Sequence, residues 1–308
     1  MSDPTPLITA DRSSEAPRPS GTMAVLVVGF AGASFPGCSP AMALTGSADA
    51  TLDELVDAIE VGLDATGAAL VLYPRWAGAN TASRVRTARR IVGSGRVVGR
   101  PVDLPPLAGA VLAALVAAAA PFAARPGDVL ASATVLERQL PTVAWLRRVG
   151  GLRSPGPTLR QHVASWLPWT RFVAWTGEDP GVATITRDLA TVPDRAETHP
   201  GWGWAVAGDV PAGLSWVRAA LGPAGGTVTE LPPSPLGRRW WGTARVVEAV
   251  AHPSSLDGVL AALRPAPRLT TCEWCGDDVP GAPCPFCAMT TALPVPVTPV
   301  SAEQPSVR

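Results

Sequence analysis

Four cysteines within sixteen residues constrain this chain more than any other feature. Cys272 and Cys275 form one C-x-x-C pair, Cys284 and Cys287 form a second, and eight residues separate the pairs. Disulfide-rich secreted domains spread their cysteines through the chain, whereas paired C-x-x-C spacing is typical of metal sites in a reducing compartment. Each pair makes a tight turn that points two sulfurs at one position, so four thiolates can complete a tetrahedral zinc shell. The sequence therefore predicts a structural Zn²⁺ site in a cytoplasmic protein.

The same segment resembles the zinc-ribbon family over about residues 270–290, through this spacing, the Cys-Gly after the first pair and the Cys-Pro-x-Cys of the second. In that family the four cysteines are metal ligands, and Ala288 stands where the family commonly has glycine. A shell of four sulfurs has no open coordination position, so the resemblance implies a zinc ion that folds the segment. Zinc ribbons often contact protein or nucleic acid. The rest of the chain resembles no family.

Upstream of the cysteines, apolar strands alternate with amphipathic helices. Three apolar runs indicate strands: Ala24–Val28, Ala69–Tyr73 and Val97–Val98. A capping box at Thr51–Glu54 opens a helix that Gly67 can end, and 80–92 is a second helix. This alternation predicts an α/β fold with a mainly parallel sheet and covering helices. A second capping-box pattern, Thr134–Glu137, predicts a helix start, with a kink at Pro141.

After residue 200 the pattern changes. Alternating Trp202, Trp204 and Val206 indicate a strand, and Trp241–Val250 indicates a longer one. The order of elements predicts a ferredoxin-like α+β unit. The chain is thus expected to comprise five segments: a disordered tail (1–22), an α/β domain (23–190), the ferredoxin-like unit (200–266), the zinc ribbon (267–290) and a Pro-rich disordered tail (291–308).

One segment has the length of a membrane span. Residues 107–124 carry no charge over eighteen positions, which makes them a transmembrane candidate by length alone. They are mostly alanine, and their larger side chains share one helical face, so a helix buried inside a domain is the preferred interpretation. The formal net charge is zero. No overall field attracts nucleic acid or anionic lipid, and no membrane partner is expected.

A stretch free of Asp and Glu, 138–177, carries the strongest nucleic-acid pattern in the chain. Arginine can contact phosphates and tryptophan can stack on unpaired bases. The candidates are Arg147, Arg148, Arg153, Arg160, Trp166, Trp169 and Arg171. All basic residues of this chain are arginine and none is lysine. The alternative interpretation is that the tryptophans belong to the core and the arginines are solvated.

Three functions follow as hypotheses. The preferred one is a non-enzymatic interaction protein whose ribbon and α/β body bind a protein or nucleic-acid partner. The second is nucleic-acid binding through 138–177. The third is an enzyme with a site in the first domain near Gly29–Ser34, although that loop lacks both phosphate-binding glycine motifs. No catalytic residue is nominated.

Overall fold

The structure is a computed structural model that describes residues 23–30, the backbone of 42–43, and residues 51–152, 154–177, 179–185, 201–221, 227–264 and 268–290. The two tails predicted to be disordered, 1–22 and 291–308, lie outside these residues.

The first sheet is parallel throughout and has the order β2-β1-β3-β4. Its strands are β1 (Ala24–Val27), β2 (Met42–Ala43), β3 (Ala69–Pro74) and β4 (Val97–Val102). One face packs against α1 (Leu52–Thr66) and α2 (Ala79–Val92). The predicted capping box at Thr51 and the left-handed cap at Gly67 bound α1 as expected, because both depend only on neighbouring residues.

The other face of this sheet packs against α3 (Pro106–Ala119) and α4 (Pro126–Arg138). Helix α3 is buried on nearly every side, which explains its uniformly apolar sequence. Among the described residues, no helix has the length and apolar character needed to cross a bilayer. The buried-helix interpretation of 107–124 therefore fits, and the fourteen-residue helix ends before the apolar stretch does.

The start predicted for the next helix is wrong. Helix α4 begins eight residues earlier than Thr134, with Pro126 at its first position and Asp128 in its first turn. Thr134 lies inside the helix and its hydroxyl donates to the Leu130 carbonyl at 3.2 Å. Pro141 does not kink a helix, because it lies between the end of α4 and the strand that begins at Thr142.

The second sheet has six strands in the order β7-β6-β5-β10-β8-β9. They are β5 (Thr142–Leu146), β6 (Phe172–Thr176), β7 (Gly181–Thr184), β8 (Trp202–Gly208), β9 (Val228–Leu231) and β10 (Val246–Pro253). The helices of this part are α5 (Leu159–Ala164), α6 (Pro211–Leu221), α7 (Gly237–Trp241) and α8 (Leu256–Ala262). Trp241, predicted to start a strand, instead ends the short helix α7.

The region predicted to be ferredoxin-like shares its sheet with earlier residues. Strand β8 pairs with β9 in parallel and with β10 antiparallel, and β10 continues the sheet into β5. All eight residues of β10 are buried. Strands pair with both of its edges, and helices cover both of its faces.

The molecule is layered, with α3 and α4 lying between the two sheets. Side chains from both sheets and from α3 join one apolar core, while α6 covers the far face of the second sheet. A final hairpin, β11 (Thr270–Thr271) and β12 (Asp278–Val279), forms the ribbon segment, defined here as residues 268–290. The predicted class, mixed α/β with a parallel sheet and helices, is confirmed.

Candidate functional site

The four cysteines of the ribbon segment converge on one position. Their sulfur atoms all lie within 4.8 Å of one another. The Sγ atoms of Cys272 and Cys287 are 3.6 Å apart, as are those of Cys275 and Cys284. Sulfurs at ~2.3 Å from a zinc ion at the centre of a tetrahedron would be ~3.8 Å apart. The four residues therefore have the spacing to hold a metal ion.

Two backbone turns shape this cluster. The amide of Gly276 donates to the Cys272 carbonyl at 2.9 Å, and the amide of Ala288 donates to the Cys284 carbonyl at 2.8 Å. Both residues are left-handed, with φ of 74° and 61° respectively. Ala288 is thus an L-residue with a side chain in a conformation that favours glycine.

The surrounding amides favour charged sulfur. Backbone N–H groups, that of Cys275 first, stabilise the Cys272 thiolate and lower its pKa to about 7. Burial raises the pKa of the Cys275 thiol. A metal ion binds thiolate rather than thiol, so a cluster with one readily ionised sulfur is suited to capturing a cation.

The ribbon segment is fastened to the first half of the molecule. Arg125 pairs with Asp278 at 2.7 Å and Arg96 pairs with Asp277 at 3.0 Å. Arg89 of α2 donates to the Phe286 carbonyl. Cys272, Val279, Cys284 and Phe286 are buried in the same core as α3 and α4. The polar contacts and the apolar contacts of the ribbon are therefore largely with its own chain.

A second candidate site lies beside the second sheet. A cavity of about 200 Å³ opens between β8, β10 and α7, and its lining includes Asp209, Ser234, Arg238, Val246 and Glu248. Among the residues that the structure describes, neither Arg238 nor Arg239 forms an ion pair with an acidic side chain. The cavity thus combines one arginine, two acidic side chains and an apolar strand surface.

Glu248 is an acidic residue that is almost completely buried. It is 2% exposed on the face of β10 that meets α3. Its Oε2 accepts a hydrogen bond at 3.1 Å from the Leu107 N–H, in the first turn of α3. Burial raises the pKa of Glu248 to about 7, although the Leu107 N–H and Trp241 act in the opposite direction. This carboxyl therefore keeps its proton to a higher pH than an exposed glutamate does.

An aromatic cluster fills the edge of the first sheet where β1 and β3 end. Ring centroids of Phe30 and Trp76 are 6.4 Å apart, and those of Trp76 and Trp240 are 5.2 Å apart. The Trp76 indole N–H donates to the Leu104 carbonyl at 2.8 Å. Open α/β sheets bind ligands at this edge, next to the strand where the order reverses.

That edge is where an enzymatic site was expected. Phe30 follows Gly29 directly and is buried against α3, so the described part of the loop is filled by side chains. The remainder of the loop, residues 31–34, lies outside the described residues.

The nucleic-acid candidates divide into two groups. Arg147 and Arg171 donate to the carbonyls of Pro168 and Thr170, so their guanidiniums are engaged with the chain itself. Exposed side chains form the second group: Arg148, Arg160, Trp166 and Trp169. Arg153 lies outside the described residues.

Sequence reasoning missed Glu248, Arg238 and Trp240. Glu248 had a usable signal, because it is the only acid in the otherwise apolar run Val246–Ala251. Arg238 and Trp240 had none, because no motif includes them and the sequence predicts no helix at the position of α7.

No family model matches the sequence, and no curated protein matches it. Solved structures do match its fold. A stearic-acid-binding protein from Eubacterium ventriosum has a TM-score of 0.50 over 66% of this chain and 76% of its own, at 8% identity. A DegV family protein from Corynebacterium glutamicum has a TM-score of 0.48 over 65% of this chain and 80% of its own, at 18% identity. One from Eubacterium eligens, loaded with heptadecanoic acid, has a TM-score of 0.48 over 65% and 77%, at 10% identity.

These matches correct the functional prediction. The neighbour with a TM-score of 0.50 is named for binding stearic acid, a small-molecule lipid, and not for a protein or nucleic-acid partner. The prediction that the ribbon and body bind such a partner is wrong, and so is the alternative of nucleic-acid binding through 138–177. Within the described residues, the ribbon segment packs on its own chain through Asp277, Asp278 and Phe286, and the guanidiniums of Arg147 and Arg171 are engaged with backbone carbonyls.

Proposed function

We propose that the protein binds a long-chain fatty acid at the cavity between the second sheet and α7. The observation that carries the proposal is that Arg238 and the buried carboxyl of Glu248 line the same cavity. The likeness in fold to a stearic-acid-binding protein supports it.

The lining suits a carboxylic acid with an apolar tail. Arg238 offers a planar donor pair to a ligand carboxylate, and Ser234 offers a hydroxyl. Protonated Glu248 can donate to the same carboxylate, whereas ionised Glu248 repels it. The acyl chain lies against Ala207 and Val246 and extends toward the alanine-rich surface of α3.

A long chain needs more room than the cavity provides. Its volume, about 200 Å³, is below the roughly 300–1,000 Å³ of ordinary ligand pockets. Helix α7 is five residues long and carries Trp240, one of the aromatic side chains at the edge of the first sheet. We expect α7 to move outward when the ligand enters.

Titration of delipidated protein with stearic acid, by displacement of a fluorescent fatty acid, tests the proposal. Arg238→Ala removes a charge-assisted hydrogen bond and is expected to weaken binding by about tenfold or more. Arg90→Ala, an exposed arginine on α2, is the matched control and should bind like the parent. The absence of saturable binding would overturn the site. Equal weakening of binding in the Arg238→Ala and Arg90→Ala variants would also overturn it.

For the cysteine cluster we propose a structural zinc ion. Its support is the convergence of four sulfurs at near-tetrahedral spacing and the resemblance to zinc ribbons. Elemental analysis should find one zinc ion per chain. The double variant Cys275→Ser with Cys287→Ser should lose this zinc, whereas the control variant Cys38→Ser should keep it. Protein without stoichiometric metal would refute the assignment.

A thiolate site of this kind persists in reducing compartments, so we also propose a cytoplasmic location.

A further inference from the structure

Five large apolar side chains are exposed within eleven residues of the second half of the molecule. Their relative exposures are 80% for Leu159, 52% for Val163, 72% for Trp166, 42% for Leu167 and 73% for Trp169. Single exposed hydrophobic residues are ordinary, but a contiguous group of them marks a binding surface. We call these five residues the tryptophan face.

Helical spacing places most of the tryptophan face on one side. Helix α5 continues beyond Ala164 as a further turn, because the Trp166 amide donates to the Val163 carbonyl at 3.2 Å and the Leu167 amide to the Ala164 carbonyl at 3.1 Å. Leu159, Val163 and Trp166 therefore follow the i, i+4, i+7 pattern of an amphipathic helix.

The underside of this segment is held to the body of the protein. The Gln161 side chain donates to the Val182 carbonyl at 2.7 Å. Arg147 and Arg171 both donate to the Pro168 carbonyl, in the turn between Trp166 and Thr170. The two indoles are thus presented outward by a braced turn, because two guanidiniums fix the backbone that carries them.

The chain segment that carries the tryptophan face has charged residues of one sign only. No Asp or Glu occurs between Glu137 and Glu178. Arg148 and Arg160 are exposed. Amphipathic helices that lie on membranes place aromatic and aliphatic side chains on one face and cations near anionic headgroups. Tryptophan prefers the depth of the headgroups.

We propose that the tryptophan face docks on the surface of an anionic phospholipid bilayer. The aliphatic members of the face are suited to acyl chains, and the exposed arginines are suited to headgroup phosphates. This binding is independent of the fatty-acid site. It also revises the expectation that no membrane partner exists, which rested on zero net charge, whereas the arginine- and tryptophan-containing stretch 138–177 was assigned to nucleic acid.

Sedimentation with vesicles tests the proposal without any fatty acid present. We expect binding to vesicles of phosphatidylcholine with phosphatidylglycerol, and little binding to phosphatidylcholine alone. Trp166→Ala with Trp169→Ala should lower the partition coefficient by about tenfold or more, because two interfacial anchors are lost. Trp274→Ala is the matched control, since Trp274 is 66% exposed on the ribbon segment.

A charge variant tests the electrostatic part separately. Arg148→Glu with Arg160→Glu should weaken vesicle binding by about tenfold and reduce its dependence on salt. Arg86→Glu with Arg90→Glu makes the same charge change on α2 and should bind like the parent. Equal binding to both vesicle types, or unchanged binding by the tryptophan variant, would overturn the proposal. So would a vesicle-free dimer that this variant dissociates, because the occupant would then be a second copy. If the protein binds vesicles but not stearic acid, the fatty-acid site is refuted and the membrane proposal stands.

Discussion

Two turns around the cysteine cluster have the same shape and different residues. Gly276 and Ala288 each adopt a left-handed conformation one residue after a cysteine. At Gly276 no heavy atom lies within 4 Å of an added Cβ. The cost of a side chain there is therefore a property of the backbone and not of packing.

We expect Gly276→Ala to destabilise the ribbon segment by about 1 kcal/mol, because an L-residue is disfavoured at this φ. Ala288→Gly should stabilise it by up to about 1 kcal/mol, since relief of the left-handed conformation exceeds the entropy that glycine loses. Thermal unfolding and the rate of metal loss to a chelator measure both. Two variants that shift in the same direction would contradict this reasoning.

Glu248 makes stability depend on pH. Its pKa is about 7 in the fold against an ordinary value of 4.5. Between these pH values the folded state holds a proton that the unfolded state has released, so the free energy of unfolding falls as the pH rises. The difference corresponds to about 3 kcal/mol.

Glu248→Gln should abolish this fall, because the amide does not titrate and can still accept from the Leu107 N–H. Denaturant unfolding at about pH 5 and about pH 8 measures the change. Glu230→Gln, an exposed carboxylate paired with Arg218, is the control and should keep the slope of the parent. An unaltered slope in the Glu248 variant would assign the pH dependence to other groups.

At the scale of elements, α4 connects the core to the ribbon segment. Its first turn lies so close to β12 that a Cβ on Gly127 would be 2.0 Å from the Asp278 carbonyl oxygen. Arg125, just before the helix, pairs with the carboxylate of the same Asp278. The start of α4 is therefore also the docking point of the ribbon segment.

Gly127→Ala is expected to push β12 away from α4 and to lower stability by about 1–3 kcal/mol, the usual cost of overpacking. The loosened ribbon should also lose metal to a chelator faster than the parent. Gly95→Ala is the control, because no heavy atom lies within 4 Å of a Cβ there. If both variants unfold at the same temperature as the parent, the close contact has no energetic weight.

For the whole molecule, the ribbon segment contributes to the main core. Cys272, Val279, Cys284 and Phe286 are each at most 2% exposed and belong to the cluster built around α3. Removing the metal should therefore weaken the body as well as the ribbon, because a loosened ribbon uncovers core surface.

Chelation should lower the midpoint of a single unfolding transition and increase hydrogen exchange in the first turn of α4. Calorimetry and exchange measured with and without a strong chelator test this expectation, and Cys275→Ser with Cys287→Ser should reproduce the effect. An unchanged midpoint after complete metal loss would show that the ribbon folds and detaches independently.

Much of the local structure was predictable from sequence. The capping box at Thr51 and the cap at Gly67 depend on side chains and backbone groups within a few residues of one another. The grouping of the four cysteines was predictable from their spacing. The capping pattern at Thr134 misled because a hydroxyl inside a helix can bond to the preceding turn.

The sequence by itself determined the alternation of strands and helices, the apolar character of α3 and the close spacing of four cysteines, because these depend on neighbours along the chain. Only the tertiary structure decided that β5 joins β10, that Glu248 meets the first turn of α3, and that Trp145 is buried while Trp166 is exposed. The reason is that burial and pairing depend on which distant segment covers a surface, and residue type alone carries little of that information.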